Sequence, residues 1–155
     1  MKNIMILLLI AVGVGVGVQQ PIVKETPRAE QNQGITVNKL KVEYVDTDKA
    51  KEIIGDQYSN LIATEGYKLI TVGNENYLYI GLGEKPNGGY DLQVSYMEDN
   101  EGILNVETKV TQPKADDMVS QVISYPHKVV KVSFGPRKIN VNSDIKEIKF
   151  KEIKK

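Results

Sequence analysis

Cysteine and tryptophan are absent from the 155 residues of this chain, and histidine occurs once. Without thiols there is no disulfide, no thiol nucleophile and no thiolate metal site, so a folded domain must be held by its apolar core alone. The missing cysteine also excludes the lipid-anchored form of a bacterial export signal, which is modified at that residue type. His127 follows Tyr125 and Pro126 at an expected bend, and no serine stands in a GxSxG setting. That context points to a structural or solvated ring rather than a catalytic base. An excess charge of one sign is missing too: 20 Lys and Arg balance 20 Asp and Glu, leaving no overall field that favours nucleic acid.

Long apolar runs are equally scarce, with one exception. Ile4 to Val18 is unbroken, about 22 Å as a helix against a hydrocarbon core of roughly 30 Å, and its Gly-Val alternation weakens a helix. Lys2 precedes the run, and Gly15 and Gly17 form a small-x-small pattern before Val18. Residues 1–18 are therefore expected to be a secretory signal peptide or, if uncleaved, an N-terminal membrane anchor, which makes the protein extracytoplasmic. Residues 19–34 contain Pro21, Pro27 and scattered charge without periodicity, the composition of a flexible linker. Residues 35–155 remain for a single β-rich domain.

From Ile35 the pattern alternates, with Leu40, Val42 and Tyr44 opposite Lys39, Lys41 and Glu43, which predicts a half-buried strand. Ala50, Ile53, Ile54, Tyr58, Leu61 and Ile62 then recur at helical spacing. They predict one amphipathic helix from Asp48 to about Thr64, capped by Thr47 or Asp46, stopped by Gly66 and open to a break at Gly55. Six runs rich in Val, Ile and Tyr follow: 67–72, 77–82, 90–97, 103–110, 118–125 and 128–134. Mostly short connections favour antiparallel neighbours. The expected architecture is mainly β (α+β): a small antiparallel β sandwich or open barrel with one N-terminal amphipathic helix packed on it. The basic tail from Asp144 reads as an amphipathic edge strand, with Ile145 opposite Ile148 and Phe150, or else as a membrane-surface contact. Tyr77, Tyr79, Tyr90 and Tyr96 are expected in core or cross-strand packing, the last two on one face with Leu92 and Val94.

What is over-specified is a loop. Gly83 to Tyr90 reads GEKPNGGY between YLYIGL and DLQVSYM, where two residues would suffice to reverse a strand. It lacks P-loop spacing and opens a strand rather than a helix, so it is not a phosphate site. The acidic clusters Glu98, Asp99, Glu101 and Asp116, Asp117 lie in turns without the spaced calcium-loop pattern, and no cofactor or metal is expected from them, although calcium stays open. Binding is the remaining use of the loop. Pro86, Gly88 and Gly89 are expected to set its shape, through positive φ or close backbone approach at the glycines. Lys85, Asn87 and Tyr90 are expected to meet a protein partner, joined by Tyr125, Pro126 and His127. A plain turn in a structural envelope domain is the alternative.

Three blocks carry a likeness: GYKLITVG at Gly66, YLYIGLGEKPNGGYDLQV at Tyr77 and DDMVSQVISYPHKVVKV at Asp116. In their order and spacing, Gly66 to Val132 resembles the PrcB C-terminal domain family, found in exported bacterial proteins named after a protease complex subunit. Asn87 stands where that family usually has Thr or a similar residue. The resemblance implies a small, mostly β, extracytoplasmic accessory domain that stabilises or assembles a secreted protease and is not itself an enzyme. The PNGGY element followed later by Tyr125 and Pro126 is also similar in outline to the loop plan of chagasin-like protease inhibitors, in which such a loop enters a protease cleft.

Overall fold

A computed structural model of the chain describes residues 37–154. The signal or anchor expected at 1–18 and the linker expected at 19–34 lie outside the described residues. Among those described, no helix is long and apolar enough to cross a membrane.

The elements run β1 (Val37–Leu40), α1 (Thr47–Ile54), α2 (Tyr58–Ile62), β2 (Glu65–Val72), β3 (Glu75–Leu82), β4 (Asp91–Asn100), β5 (Ile103–Thr111), β6 (His127–Val132) and β7 (Lys138–Ser143). They form two sheets in a sandwich-like arrangement that does not close into a barrel, a four-stranded one ordered β1-β4-β5-β7 and a three-stranded one ordered β2-β3-β6. Strand alternation explains the layers. Leu78 and Ile80 of β3 face Leu92, Val94, Met97, Leu104 and Val106 of the larger sheet, all buried in one cluster. Tyr77 and Tyr79 point the other way and pack with Val129 beneath Ala50 and Leu61 of the helices. Fold class and helix layer thus follow the sequence-based expectation.

The helix does break at Gly55, which takes φ +65° and donates its N–H to the Lys51 carbonyl; a 3-10 turn, Gly55–Gln57, links α1 to α2. Asp46 is the N-cap, accepting from the N–H groups of Asp48 at 3.1 Å and Lys49 at 3.0 Å. Gly66 does not stop the helix. The helical turns end at Ile62, and Gly66 lies within β2 at φ +143°, where a Cβ would stand 2.4 Å from the Lys151 carbonyl oxygen.

Four further expectations fail for identifiable reasons. Residues 118–125 form no strand: apart from one bridge, Lys85 to Ser124, they belong to a 112–126 connection that carries the chain from the larger sheet to the smaller. In their place β7 completes the larger sheet, and it pairs with β5 in parallel, not antiparallel. The tail from Asp144 is no edge strand, because Ile145, Ile148 and Phe150 all turn onto the inter-sheet cluster and only Glu152 bridges to Tyr67. Finally, Tyr96 does not share a face with Leu92 and Val94. A bulge between Val94 and Tyr96 shifts the alternation, sending Met97 inward and leaving Tyr96 to donate to Glu98 Oε2 at 2.8 Å. Tyr44 seals that irregularity, its hydroxyl donating to the Val94 carbonyl and accepting the Val94 N–H, both at 2.9 Å.

Candidate functional site

Gly83 to Tyr90 leaves β3 and lies along the 112–126 connection. Lys85 and Ser124 exchange main-chain hydrogen bonds at 2.8 and 3.0 Å, and the Gly88 N–H donates to the Ser120 carbonyl at 2.8 Å. Ser124 Oγ adds a bond to the Asn87 carbonyl at 2.6 Å, and Tyr125 donates its hydroxyl to Glu84 Oε2 at 3.1 Å. That carboxylate, accepting the phenol proton, holds Tyr125 above the ordinary tyrosine range. Two irregular segments, neither stable alone, therefore satisfy each other's polar groups and form one paired platform.

The glycines divide the work of shaping it. Gly83 is the one with positive φ, +69°, and a Cβ there would stand 2.9 Å from the Glu65 nitrogen. Gly89 is closely approached, with Pro113 and Val119 each 2.7 Å from where its Cβ would be, while Gly88 has ordinary room beside Ser120. Asn87 Oδ1 accepts the Gly89 N–H at 3.0 Å, which closes the turn. Lys85 is half-buried, 3.5 Å from Glu65 Oε2 and 5.9 Å from the centre of the Tyr90 ring. Pro86 is exposed at the tip.

His127 sits at the far end, in β6. Its Nδ1 meets the Tyr125 carbonyl at 2.6 Å; a carbonyl only accepts, so Nδ1 carries a proton and, in the neutral ring, Nε2 accepts the Tyr58 hydroxyl at 2.9 Å. Its ring also stacks on Tyr79, with centroids 5.9 Å apart. With both nitrogens engaged and the ring flanked by Tyr58 and Tyr79, His127 joins the helix pair to the smaller sheet. A groove of about 290 Å³ lined in part by Tyr44, Asp46, Thr47, His127 and Lys128 lies alongside. Among the described residues no three His, Asp or Glu side chains gather as a metal ion would need. The Asp99 and Asp117 carboxylates each accept a main-chain N–H, closing their own turns.

Tyr79 beneath His127 is fully buried and donates to the Leu61 carbonyl at 3.0 Å. Burial, with a smaller contribution from Tyr58, raises its pKa far above the ordinary tyrosine value. A folded value raised above the unfolded one contributes stability that is present below the unfolded pKa and lost as pH rises through the folded one. Unfolding midpoints of the native chain are therefore expected to fall as the pH rises above about 10. Tyr79→Phe should start roughly 1 kcal/mol lower from the lost hydrogen bond, yet fall less steeply; parallel curves would exclude Tyr79 as the source.

The sequence signal missed on this surface is apolar. Met118 is fully exposed, and Val122 and Ile123 retain 66% and 54% of their accessible surface; they are three of the six exposed large hydrophobic residues among those described and share one segment of the platform with Ser120 and Ser124. A strand over 118–125, as the sequence predicts, would alternate its side chains between the two faces of a sheet. Adjacent Val122 and Ile123, both apolar and out of alternation, were the available warning.

No curated protein and no solved structure matches the chain. Residues 76–133, which run from β3 through the platform into β6, match the PrcB C-terminal family model, the family that the sequence resembles.

Proposed function

We propose that this is a non-enzymatic, extracytoplasmic accessory domain that docks on a secreted or envelope protein, a protease in the first instance, through the platform of residues 83–90 and 118–127. The single observation that carries the reading is that Met118, Val122 and Ile123 are all exposed on the segment that the main-chain bonds from Lys85 and Gly88 hold alongside the loop. Monomeric proteins rarely leave apolar side chains together on a fixed surface without a use for them. The platform is also already ordered by its own hydrogen bonds, so little ordering entropy is lost on docking. The family's link to a protease complex subunit supplies the partner class. The Lys85 ammonium is paired with Glu65 of β2 and the Asn87 side chain closes its own turn, so the contact residues are Pro86, Met118, Val122 and Ile123, with Tyr125 and Tyr90 at the margin.

The test is co-purification of exported proteins with the native chain and with Pro86→Ala/Val122→Ser/Ile123→Ser, followed by mass spectrometry. Recovery of a protease should drop at least tenfold, a loss of about 1.4 kcal/mol in binding. Undiminished recovery with a variant of native circular dichroism would reject the platform. Inhibition of the recovered protease by the chain would reassign it from stabiliser to inhibitor.

A further inference from the structure

Among the described residues nothing pairs with the outer edge of β2 beyond Tyr67. Tyr67 donates its N–H to the Lys151 carbonyl at 2.9 Å and accepts the Ile153 N–H at 2.8 Å, on the side away from β3. Alternation then turns the main chain of Leu69 and Thr71 the same way, and no backbone hydrogen bond joins either of them on that side to another described residue. Lys68 and Ile70 oppose Tyr79 and Tyr77, so they face the helices. Between the helices and this edge runs a groove of about 200 Å³ lined by Ile54, Gln57, Leu61, Lys68, Leu69 and Ile70. A neighbouring groove of about 380 Å³ shares Gln57, Leu61 and Lys68 and reaches Lys154. Among the described residues Lys68 and Lys154 are the only ionic side chains on either wall, and neither forms an ion pair with another of them.

We propose that Leu69 to Thr71 and this groove dock an extended segment of a partner protein that carries apolar side chains flanked by acidic ones, added as a strand beside β2. An added strand takes its affinity from the free main-chain groups and its selectivity from alternate side chains entering a groove. Here the groove has an apolar floor of Ile54, Leu61 and Ile70 and lysines as its only charges. Charge also decides against two other occupants. A second copy pairing β2 with β2 would bring two Lys68 and two Lys154 to one edge, which is repulsive. Residues 19–34 carry Lys24 and Arg28 against Glu25 and Glu30, so they have no net charge to offer, and Pro21 and Pro27 lack the N–H a ladder needs.

The experiment is an amide-resolved NMR titration of the full chain with the blocked peptide EVIEVIE. Its extended form presents two apolar side chains between two acids on one face. The Leu69 and Thr71 amides should shift and slow in exchange, KVIKVIK should bind at least tenfold more weakly, and alternate N-methylation of EVIEVIE should abolish binding. Lys68→Glu/Lys154→Glu, two surface changes, should reverse the preference between the peptides. The proposal is overturned if neither peptide shifts these amides, if both bind equally, or if shifts concentrate at residues 83–90. It is equally overturned if the amides are protected in the free chain, whether concentration-dependently, as a second copy would cause, or until residues 19–34 are deleted.

Discussion

Gly81→Ala is expected to destabilise the protein by about 3 kcal/mol, lowering its thermal midpoint by roughly 10 °C. A Cβ at Gly81 would stand 2.0 Å from the Tyr79 hydroxyl oxygen and 2.7 Å from the ring carbon that bears it. The end of a long side chain can often swing clear, but Tyr79 is fully buried and tied to the Leu61 carbonyl. Moving the ring breaks that bond and lifts α2 from the sheet, or strains the rotamer; either costs more than the methyl contributes. A double-mutant cycle locates the effect. With Tyr79→Leu in place the clash is gone, and the added cost of Gly81→Ala should shrink by about 2 kcal/mol. Equal costs in both backgrounds would assign the damage to the backbone of β3 instead.

Leu78→Ala is expected to cost about 2–5 kcal/mol, because Leu78 is fully buried in the middle strand of the smaller sheet and faces the larger one. The deleted methyl groups leave a void bounded by both sheets, and neither backbone can close it without losing ladder hydrogen bonds. Urea unfolding should show a lower midpoint with an unchanged slope and a single transition. Val72→Ala, at a residue with 48% of its surface exposed on the same sheet, should shift stability by less than about 0.5 kcal/mol. Comparable losses at the two positions would mean that the sheets do not share one core.

The elements that alternation and helical spacing specify locally are the ones read correctly from sequence. β2 to β5 and the broken helix carry their own signals, in Ile53, Ile54, Leu61 and the Tyr77 to Leu82 run. What failed depends on distant partners. KINVNS at Lys138 is only one-third apolar and becomes a strand because β5 offers it an edge, with Asn140 and Asn142 bonding to Asn105 and Glu107 at 2.8 Å. VISY at Val122 has strand composition, yet it meets only the loop at Lys85 and stays irregular. The one-residue bulge before Tyr96 inverts a face without any glycine or proline to announce it. For the site, the sequence pointed to the loop and to Pro86, but the exposed Met118, Val122 and Ile123 were hidden by the same reading that made 118–125 a strand. The role of His127 as a brace depended on Tyr58 and Tyr79, which pattern alone does not bring together.

The interleaved order of the two sheets also governs how the chain reaches its native state. The larger sheet takes β1, β4, β5 and β7, and the smaller takes β2, β3 and β6, so neither can be finished from a contiguous stretch. β5 waits for β7 until β6 has been laid down on the other layer. Such non-local pairing raises contact order and predicts folding on the millisecond-to-second scale rather than in microseconds. It also means that the segment 76–133 is a cut through both layers: expressed alone, it would expose the flanks of β3, β4 and β5 as three bare edges prone to self-association.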